Sequence, residues 1–190
     1  MRKSYLILAI VAIASVGCQK IISLANISKD FTYAKTVDVP AIKELPEDIG
    51  PLPEGGMTAY SPLMPLATNS EEQVSQSGSA INLVKEVKLK QMSVAISKPA
   101  GQTFDFMDTV RLFISAPGLE EKLVAFKYGV PKGQQKLDLD CEAINLREYF
   151  IQDTMYVRFG GHFNAVPATE SQLELNSTFN MLANPLQKAE

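Results

Sequence analysis

The sequence contains no tryptophan, one histidine and two cysteines among its 190 residues. A single histidine provides at most one imidazole, which excludes a metal centre built from several histidines. Basic residues (18) do not outnumber acidic ones (21), so the basic excess typical of nucleic-acid-binding domains is absent. No Gly-x-Ser-x-Gly, His-Glu-x-x-His, Cys-x-x-Cys or phosphate-loop pattern occurs. These absences favour a protein without enzymatic activity, cofactor, metal site or nucleic-acid partner.

The longest apolar run lies near the N-terminus and is too short to cross a bilayer. It follows Arg2 and Lys3 and extends from Leu6 to Ala14, whereas a membrane-spanning helix needs about 20 apolar residues. A short positive segment followed by an apolar run of this length is typical of a secretory signal peptide.

Small residues and a cysteine follow this run, in the order Ser15-Val16-Gly17-Cys18. The segment resembles the signal of bacterial lipoproteins, in which the cysteine becomes the new N-terminus and carries a diacylglyceryl group and an acyl chain such as palmitate. The resemblance implies that Cys18 is lipidated and that the protein attaches to a membrane through this N-terminal lipid. Because Ser15 stands where leucine is most common, an ordinary signal-peptidase site is the alternative. Several acyl chains, at about 0.8 kcal/mol per buried methylene, are sufficient for stable anchoring.

The same resemblance implies a location in the cell envelope. Gln19 follows the cysteine in place of the aspartate that favours retention in the inner membrane, so we expect the outer membrane. No acidic cluster follows Cys18, and the periplasmic face is therefore preferred over the cell surface.

We divide the chain into four segments: a signal peptide (1–17), a lipidated cysteine with a tether (18–29), a β domain (30–184) and a C-terminal tail (185–190). Removal of the signal changes the formal net charge from −3 to (18 − 2) − 21 = −5.

With Cys18 lipidated, Cys141 has no partner for an intramolecular disulfide. We interpret Cys141 as a buried, inert thiol, with a reactive or intermolecular thiol as the alternative.

Apolar and polar residues alternate along seven segments after residue 30, which is the pattern of half-buried strands. No amphipathic helix of 10–15 residues separates these segments, which argues against a parallel, doubly wound sheet. We therefore predict an all-β fold, an antiparallel β-sandwich of about seven strands with short helical crossovers. A change of parity between Leu89 and Met92 predicts a β-bulge, and Gly160-Gly161 predicts a bulge or bend within a strand.

Residues 40–66 are predicted to form a proline-rich excursion, because six prolines exclude a regular helix or an inner strand. This stretch also contains four apolar residues that we take as candidate partner-binding residues: Tyr60, Leu63, Met64 and Leu66. Either they cover an edge or an end of the sandwich, or they present an apolar patch to a partner.

The single histidine and most aromatic residues have structural interpretations. His162 has the opposite parity to Phe159 and Phe163 in the same predicted strand, so we expect it to face solvent. Most of the aromatic rings are assigned to the core, because a sandwich of this size needs them.

Two groups of carboxylates have spacings that are found in functional sites. Asp138, Asp140 and Glu142 provide oxygen ligands suitable for calcium, but a solvated sheet face explains them without an ion. Asp105 and Asp108 have the spacing of an acid pair, which is also common on a surface helical turn. Neither group is predicted to be a site.

The leading hypothesis is a membrane-anchored envelope lipoprotein that acts as a non-enzymatic binding or scaffold module for an envelope protein. The alternative is a glycan- or lipid-binding β-sandwich lipoprotein, which would be signalled by an exposed row of aromatic residues or an apolar cavity. A remote alternative is a carboxylate-dependent hydrolase, which requires a close carboxylate pair in a deep pocket.

Overall fold

The computed structural model describes residues 26–39, 53–165 and 170–184. The signal peptide, Cys18 and residues 40–52 therefore lie outside the described residues. Nine strands are present in the described part of the chain: β1 (Ile27–Val39), β2 (Met57–Tyr60), β3 (Met64–Ala67), β4 (Val84–Lys98), β5 (Met107–Ala116), β6 (Leu119–Tyr128), β7 (Lys136–Cys141), β8 (Thr154–Phe163) and β9 (Ser171–Ala183). The same described ranges contain two short helices, α1 (Ser70–Gln76) and α2 (Arg147–Phe150), and single 3₁₀ turns at Ile81–Leu83 and Phe104–Phe106.

The strands form two antiparallel layers that are continuous through β7. The pairing order is β1-β9-β4-β7-β6-β5-β8-β2, and β3 also pairs with β8. Strand β7 pairs with β4 over four residues but with β6 only through Cys141 and Asp140, so the sheet turns a corner there. We call the layer β1-β9-β4-β7 the first sheet and the layer β6-β5-β8-β2/β3 the second sheet. The predicted antiparallel β-sandwich is confirmed.

Strands β2 and β3 together occupy one position in the second sheet. Strand β2 pairs with Gly160–Phe163 and β3 pairs with Thr154–Val157, so the two short strands follow one another along β8. Counted this way, the fold has eight strand positions in two four-stranded sheets, which is the arrangement of a jelly roll.

The core lies between the two sheets and is built by the alternating inward residues of both. Met92 and Phe179 of the first sheet face Leu112 and Met155 of the second, and these residues are all nearly inaccessible to solvent. They line an internal cavity of only about 40 Å³. This cavity is too small for an acyl chain or another bound ligand.

All seven predicted strands are present, and the structure adds β2 and β3. The prolines concealed these two strands in the sequence, because proline cannot donate a ladder hydrogen bond. Pro65 is nevertheless accommodated in β3, opposite Tyr156, because β3 lies at the edge of the second sheet. The excursion predicted over residues 40–66 is therefore wrong from Met57 onward, where the chain belongs to the sheet.

Two local irregularities were predicted within strands. The bulge between Leu89 and Met92 is confirmed by a register shift between Leu89 and Gln91 opposite β9. The bend predicted at Gly160-Gly161 is wrong, because both glycines keep a regular register with β2 and β5. Their role is close packing instead: a Cβ on Gly160 would lie 2.3 Å from the Tyr60 ring.

Element boundaries differ by a few residues from the prediction. Strand β1 begins at Ile27, before the predicted domain start at residue 30. The helical crossover between β7 and β8 is short and spans only Arg147–Phe150. A single turn of this kind is enough to carry the chain from β7 across to β8.

Candidate binding surfaces

The outer face of the second sheet carries a row of large side chains at one register level. Arg111 in β5 is opposite Phe126 in β6 on one side and Gly160 in β8 on the other. Gly160 is in turn opposite Tyr60 in β2. Because directly opposed residues project to the same side of a sheet, Phe126, Arg111 and Tyr60 form one row across four strands.

The adjacent register level adds Phe113 and Arg158, which are opposite each other in β5 and β8. The Tyr60 and Phe113 rings meet edge to face, with centroids 5.8 Å apart. The Arg158 guanidinium lies 4.9 Å from the Tyr60 ring centroid and 5.7 Å from that of Phe113. Arg158 also forms an ion pair with Glu121. Cation–π contact and this ion pair hold Arg158 in place against both rings.

Tyr128 extends the row along β6. Its ring lies 4.9 Å from that of Phe126, and the Arg111 guanidinium carbon lies 5.7 Å from the Tyr128 centroid. Six residues thus form what we call the aromatic–arginine face: Tyr60, Arg111, Phe113, Phe126, Tyr128 and Arg158.

The arginines of this face differ in their charge partners. Arg158 is paired with Glu121, whereas Arg111 has no ion pair among the described residues. The Nε atoms of both arginines are buried without a hydrogen-bond acceptor in the described structure. Arg111 therefore presents a positive charge that no described residue neutralises with an ion pair.

The four predicted partner-binding residues separate into two pairs. Tyr60 is 46% exposed and Leu63, in the turn between β2 and β3, is 51% exposed. Met64 and Leu66 are half-buried and pack against the core. Of the two alternatives, covering the edge of the sandwich applies to Met64 and Leu66, because they are the inward residues of β3; presentation to a partner stays a prediction for Tyr60 and Leu63.

Sequence reasoning missed most of the aromatic–arginine face. Phe113, Phe126 and Tyr128 were assigned to the core with the other rings, but Tyr128 is 54% exposed and the other two are half-buried on the outer face. The outward orientation of Phe113 was predictable from the sequence, because Phe113 alternates with Leu112 and Ile114, which are buried.

The outer face of the first sheet has a different character. A groove of about 430 Å³ lies over β1, β9, β4 and β7. Three charged residues line it, Lys90, Lys136 and Asp138, and most of the other lining residues are neutral and polar. We call it the polar groove; its outward-facing neutral polar residues are Thr32, Gln91, Ser93, Asn176 and Thr178.

His162 lies in β8, between β2 and β5, and contacts Asp108. The Nδ1 atom is 3.0 Å from Asp108 Oδ2, and the histidine side chain, which was expected to face solvent, is 31% exposed. Within the described structure His162 hydrogen-bonds only to Asp108, so this base is paired with no serine, threonine or cysteine nucleophile.

The other carboxylates considered from the sequence have structural roles. Asp138 and Asp140 lie on the exposed face of β7, near Lys136 and Lys127 respectively. Asp105 accepts a hydrogen bond of 2.7 Å from the Gly133 backbone and does not pair with Asp108. Among the described residues, no group of three His, Cys, Asp or Glu side chains is placed to hold a metal ion.

Cys141 is half-buried, and its Sγ lies 3.8 Å from the Leu139 carbonyl oxygen. Burial, followed by the nearby Asp140 carboxylate, raises the pKa of the Cys141 thiol. A raised pKa lowers the thiolate fraction, which agrees with the interpretation of an inert thiol. Cys18, the predicted lipidation site, lies outside the described residues.

None of the helices in the described part of the chain has the length and hydrophobicity needed to span a bilayer.

Comparison with known proteins gives only distant structural similarity. No family model and no curated protein matches the chain. The decameric BFDV capsid protein is 10% identical, with a TM-score of 0.36 and 82% of this chain and 99% of that chain covered. The infectious bursal disease virus VP2 subviral particle is 7% identical, with a TM-score of 0.31 and 86% and 34% covered. At these low scores the similarities carry no functional argument, and the fold assignment rests on the strand order itself.

Proposed function

We propose that the protein is a lipid-anchored component of the bacterial cell envelope that acts as a non-enzymatic binding module for another envelope protein. The observation that carries the binding part of this proposal is the aromatic–arginine face. Tyr60, Tyr128 and Leu63 are the large hydrophobic residues most exposed in the described structure, and all three belong to the second sheet or its β2–β3 turn.

The composition of this face supports a protein partner. Tyrosine, phenylalanine and arginine are enriched in the cores of protein interfaces, and tyrosine and arginine are frequent among the residues that dominate binding energy. The face is also preorganised, because Gly160 provides space for the Tyr60 ring and Arg158 lies against it. Preorganised side chains lose less conformational entropy on binding.

The anchoring part of the proposal is supported by the resemblance of Ser15-Val16-Gly17-Cys18 to a lipoprotein signal. Strand β1 begins at Ile27, so few residues separate Cys18 from the folded domain. A domain anchored this way is held close to the membrane, where its effective concentration toward a membrane-associated partner is high.

Anchoring is tested by metabolic palmitate labelling and membrane fractionation of the wild type and a Cys18→Ser variant. We expect the wild type to be labelled and sedimented with membranes, and the variant to be unlabelled and soluble. A Cys18→Ser protein that remains bound to membranes with unchanged mobility contradicts the proposal.

Partner binding is tested with a photo-crosslinking residue introduced at Leu63 or Tyr128, and at the exposed Gln91 of the first sheet as a matched control. We expect one envelope protein to be crosslinked in living cells at positions 63 and 128 but not at 91. Tyr60→Ala should then reduce recovery at least tenfold, as for an interface hot spot of about 2 kcal/mol. Equal crosslinking at all three positions contradicts a specific interface on this face.

A further inference from the structure

We propose that the polar groove of the first sheet binds a neutral oligosaccharide. This site is separate from the aromatic–arginine face, since the two surfaces are the outer faces of opposite sheets. The proposal does not depend on the identity of the protein partner.

The groove presents hydrogen-bonding side chains in an ordered grid. Thr32, Thr178 and Gln91 are opposite one another on β1, β9 and β4. At the next level, Ser93 on β4 lies opposite Asn176 on β9. Neighbouring strands are about 4.8 Å apart, so hydroxyl and amide groups recur at that spacing across the groove.

Four of these side chains have no intramolecular partner. In the described structure no hydrogen bond is formed by the side chains of Thr32, Gln91, Ser93 or Thr178, whereas Asn176 donates to Glu174 at 3.0 Å. Hydroxyl groups both donate and accept, and a side-chain amide does both as well. The hydroxyl groups of a sugar have the same dual capacity, so they are suitable partners for this set.

The charges at the margins of the groove are compensated within the protein. Lys90 Nζ lies 2.8 Å from Asp30 Oδ2, and Lys136 Nζ lies 3.9 Å from Asp138 Oδ1. The groove therefore offers no uncompensated cation to an acidic sugar, and it favours a neutral one.

The size and shape of the groove also fit this ligand class. A volume of about 430 Å³ lies within the range of small-molecule sites. A lipid is disfavoured, because the outward side chains of the groove are polar or charged and the internal cavity of about 40 Å³ has no space for an acyl chain.

The test is a binding screen of the full-length, detergent-solubilised protein against neutral hexasaccharides with glucose, xylose, mannose and N-acetylglucosamine backbones. Oligogalacturonate serves as the acidic counterpart, and phosphatidylglycerol vesicles serve as the lipid counterpart. Calorimetric titration then measures the affinity of each oligosaccharide that the screen detects.

A Thr32→Val/Thr178→Val variant removes two hydroxyl groups while preserving side-chain shape and strand propensity. Thr58→Val is the matched control, because Thr58 is an exposed threonine of β2 on the opposite sheet. We expect the double variant to bind the neutral oligosaccharide about tenfold or more weakly and the control to bind it as the wild type does. Unchanged melting temperatures establish that both variants are folded.

Three results would overturn the proposal. One is the absence of binding to every neutral oligosaccharide at millimolar concentration. Another is a preference for oligogalacturonate or for the vesicles. The third is neutral-sugar binding that survives the double substitution but is lost in Tyr60→Ala, which would place the sugar on the aromatic–arginine face. Crosslinking at Leu63 and Tyr128 is measured separately, so a failure of the groove proposal is distinguishable from a failure of the proposed protein interface.

Discussion

Gly160 and Gly161 make room for two different neighbours, one on each face of β8. A Cβ on Gly160 would lie 2.3 Å from the Tyr60 ring on the outer face. A Cβ on Gly161 would lie 2.1 Å from the Thr109 carbonyl oxygen and 2.4 Å from Met107 Cε. The Tyr60 side chain is half-exposed and is able to rotate away, whereas the β5 backbone at Thr109 is fixed by its pairing with β8.

We therefore expect Gly161→Ala to lower the free energy of unfolding by about 2–3 kcal/mol and Gly160→Ala by about 1 kcal/mol. Urea unfolding measures both values. In a Tyr60→Ala background the Gly160→Ala substitution should become nearly neutral, because its obstacle has been removed. A Gly160→Ala effect that persists in that background would show that the ring is not the constraint.

The Cys141 thiol gives a prediction on pH dependence. Its pKa is raised by burial and then by Asp140, and only the thiolate reacts with alkylating agents. In a Cys18→Ser protein, we expect iodoacetamide to alkylate Cys141 more slowly than free cysteine at about pH 8. The rate should also reach its plateau at a higher pH than for free cysteine.

The urea-denatured protein is the control for this measurement and should react as free cysteine does. Because the folded pKa lies above the unfolded one, the thiol contributes stability at low pH that is lost as the pH rises through the unfolded value toward the folded one. Alkylation of the native protein at the rate of the denatured control would exclude the inert-thiol interpretation.

Strand β3 and the turn before it place two leucines in opposite environments, close together in the chain. Leu66 is half-buried, packs against the core and lines the small internal cavity. Leu63 is 51% exposed. We expect Leu66→Ala to lower the free energy of unfolding by about 2 kcal/mol and Leu63→Ala to change it by less than about 0.5 kcal/mol, as measured by chemical denaturation. Similar losses for both variants would mean that Leu63 is also part of the core.

Strands with one buried face were predictable from the sequence, and the short edge strands were not. In β5 and β7 every second residue is apolar and buried, so alternation alone identifies them. Strands β2 and β3 contain four residues each, which is too few for a pattern, and Pro65 argues against a strand. Both strands form because β8 has unpaired backbone groups on the side that faces away from β5. Those groups are in position only after β8 has paired with β5.

On the scale of the whole molecule, the fold depends on pairs of residues that are far apart in the chain. Strand β1 pairs along its full length with β9, and Ile27 is opposite Ala183, 156 positions away (183 − 27). Closing loops of this length costs entropy before the contacts that stabilise them are made.

We expect refolding from urea in about milliseconds to seconds, observed by stopped-flow tyrosine fluorescence. Refolding in microseconds would contradict the dominance of long-range pairing, and a Tyr60→Ala variant controls for the outer-face signal.

The two candidate surfaces consist of residues that are far apart in the sequence and become neighbours only when the strands pair. Tyr60 and Arg111 are 51 positions apart (111 − 60), yet they share one register row through Gly160. Thr32 and Thr178 lie near opposite ends of the chain and are direct partners in the first sheet. No local pattern contains this information, because it depends on which strands pair and in which register.

The sequence by itself determined the all-β class, the seven longer strands and the bulge after Leu89, because each of these follows from local alternation between buried and exposed positions. It also provides the lipoprotein-like signal ending at Cys18, which is read directly from the order of residues. Only the tertiary structure decided that Met64 and Leu66 face the core while Tyr60 stays exposed, and that outward aromatic and arginine side chains meet on one sheet. The physical reason is that alternation gives two faces to every strand, but the pairing of distant strands decides which outward residues become neighbours.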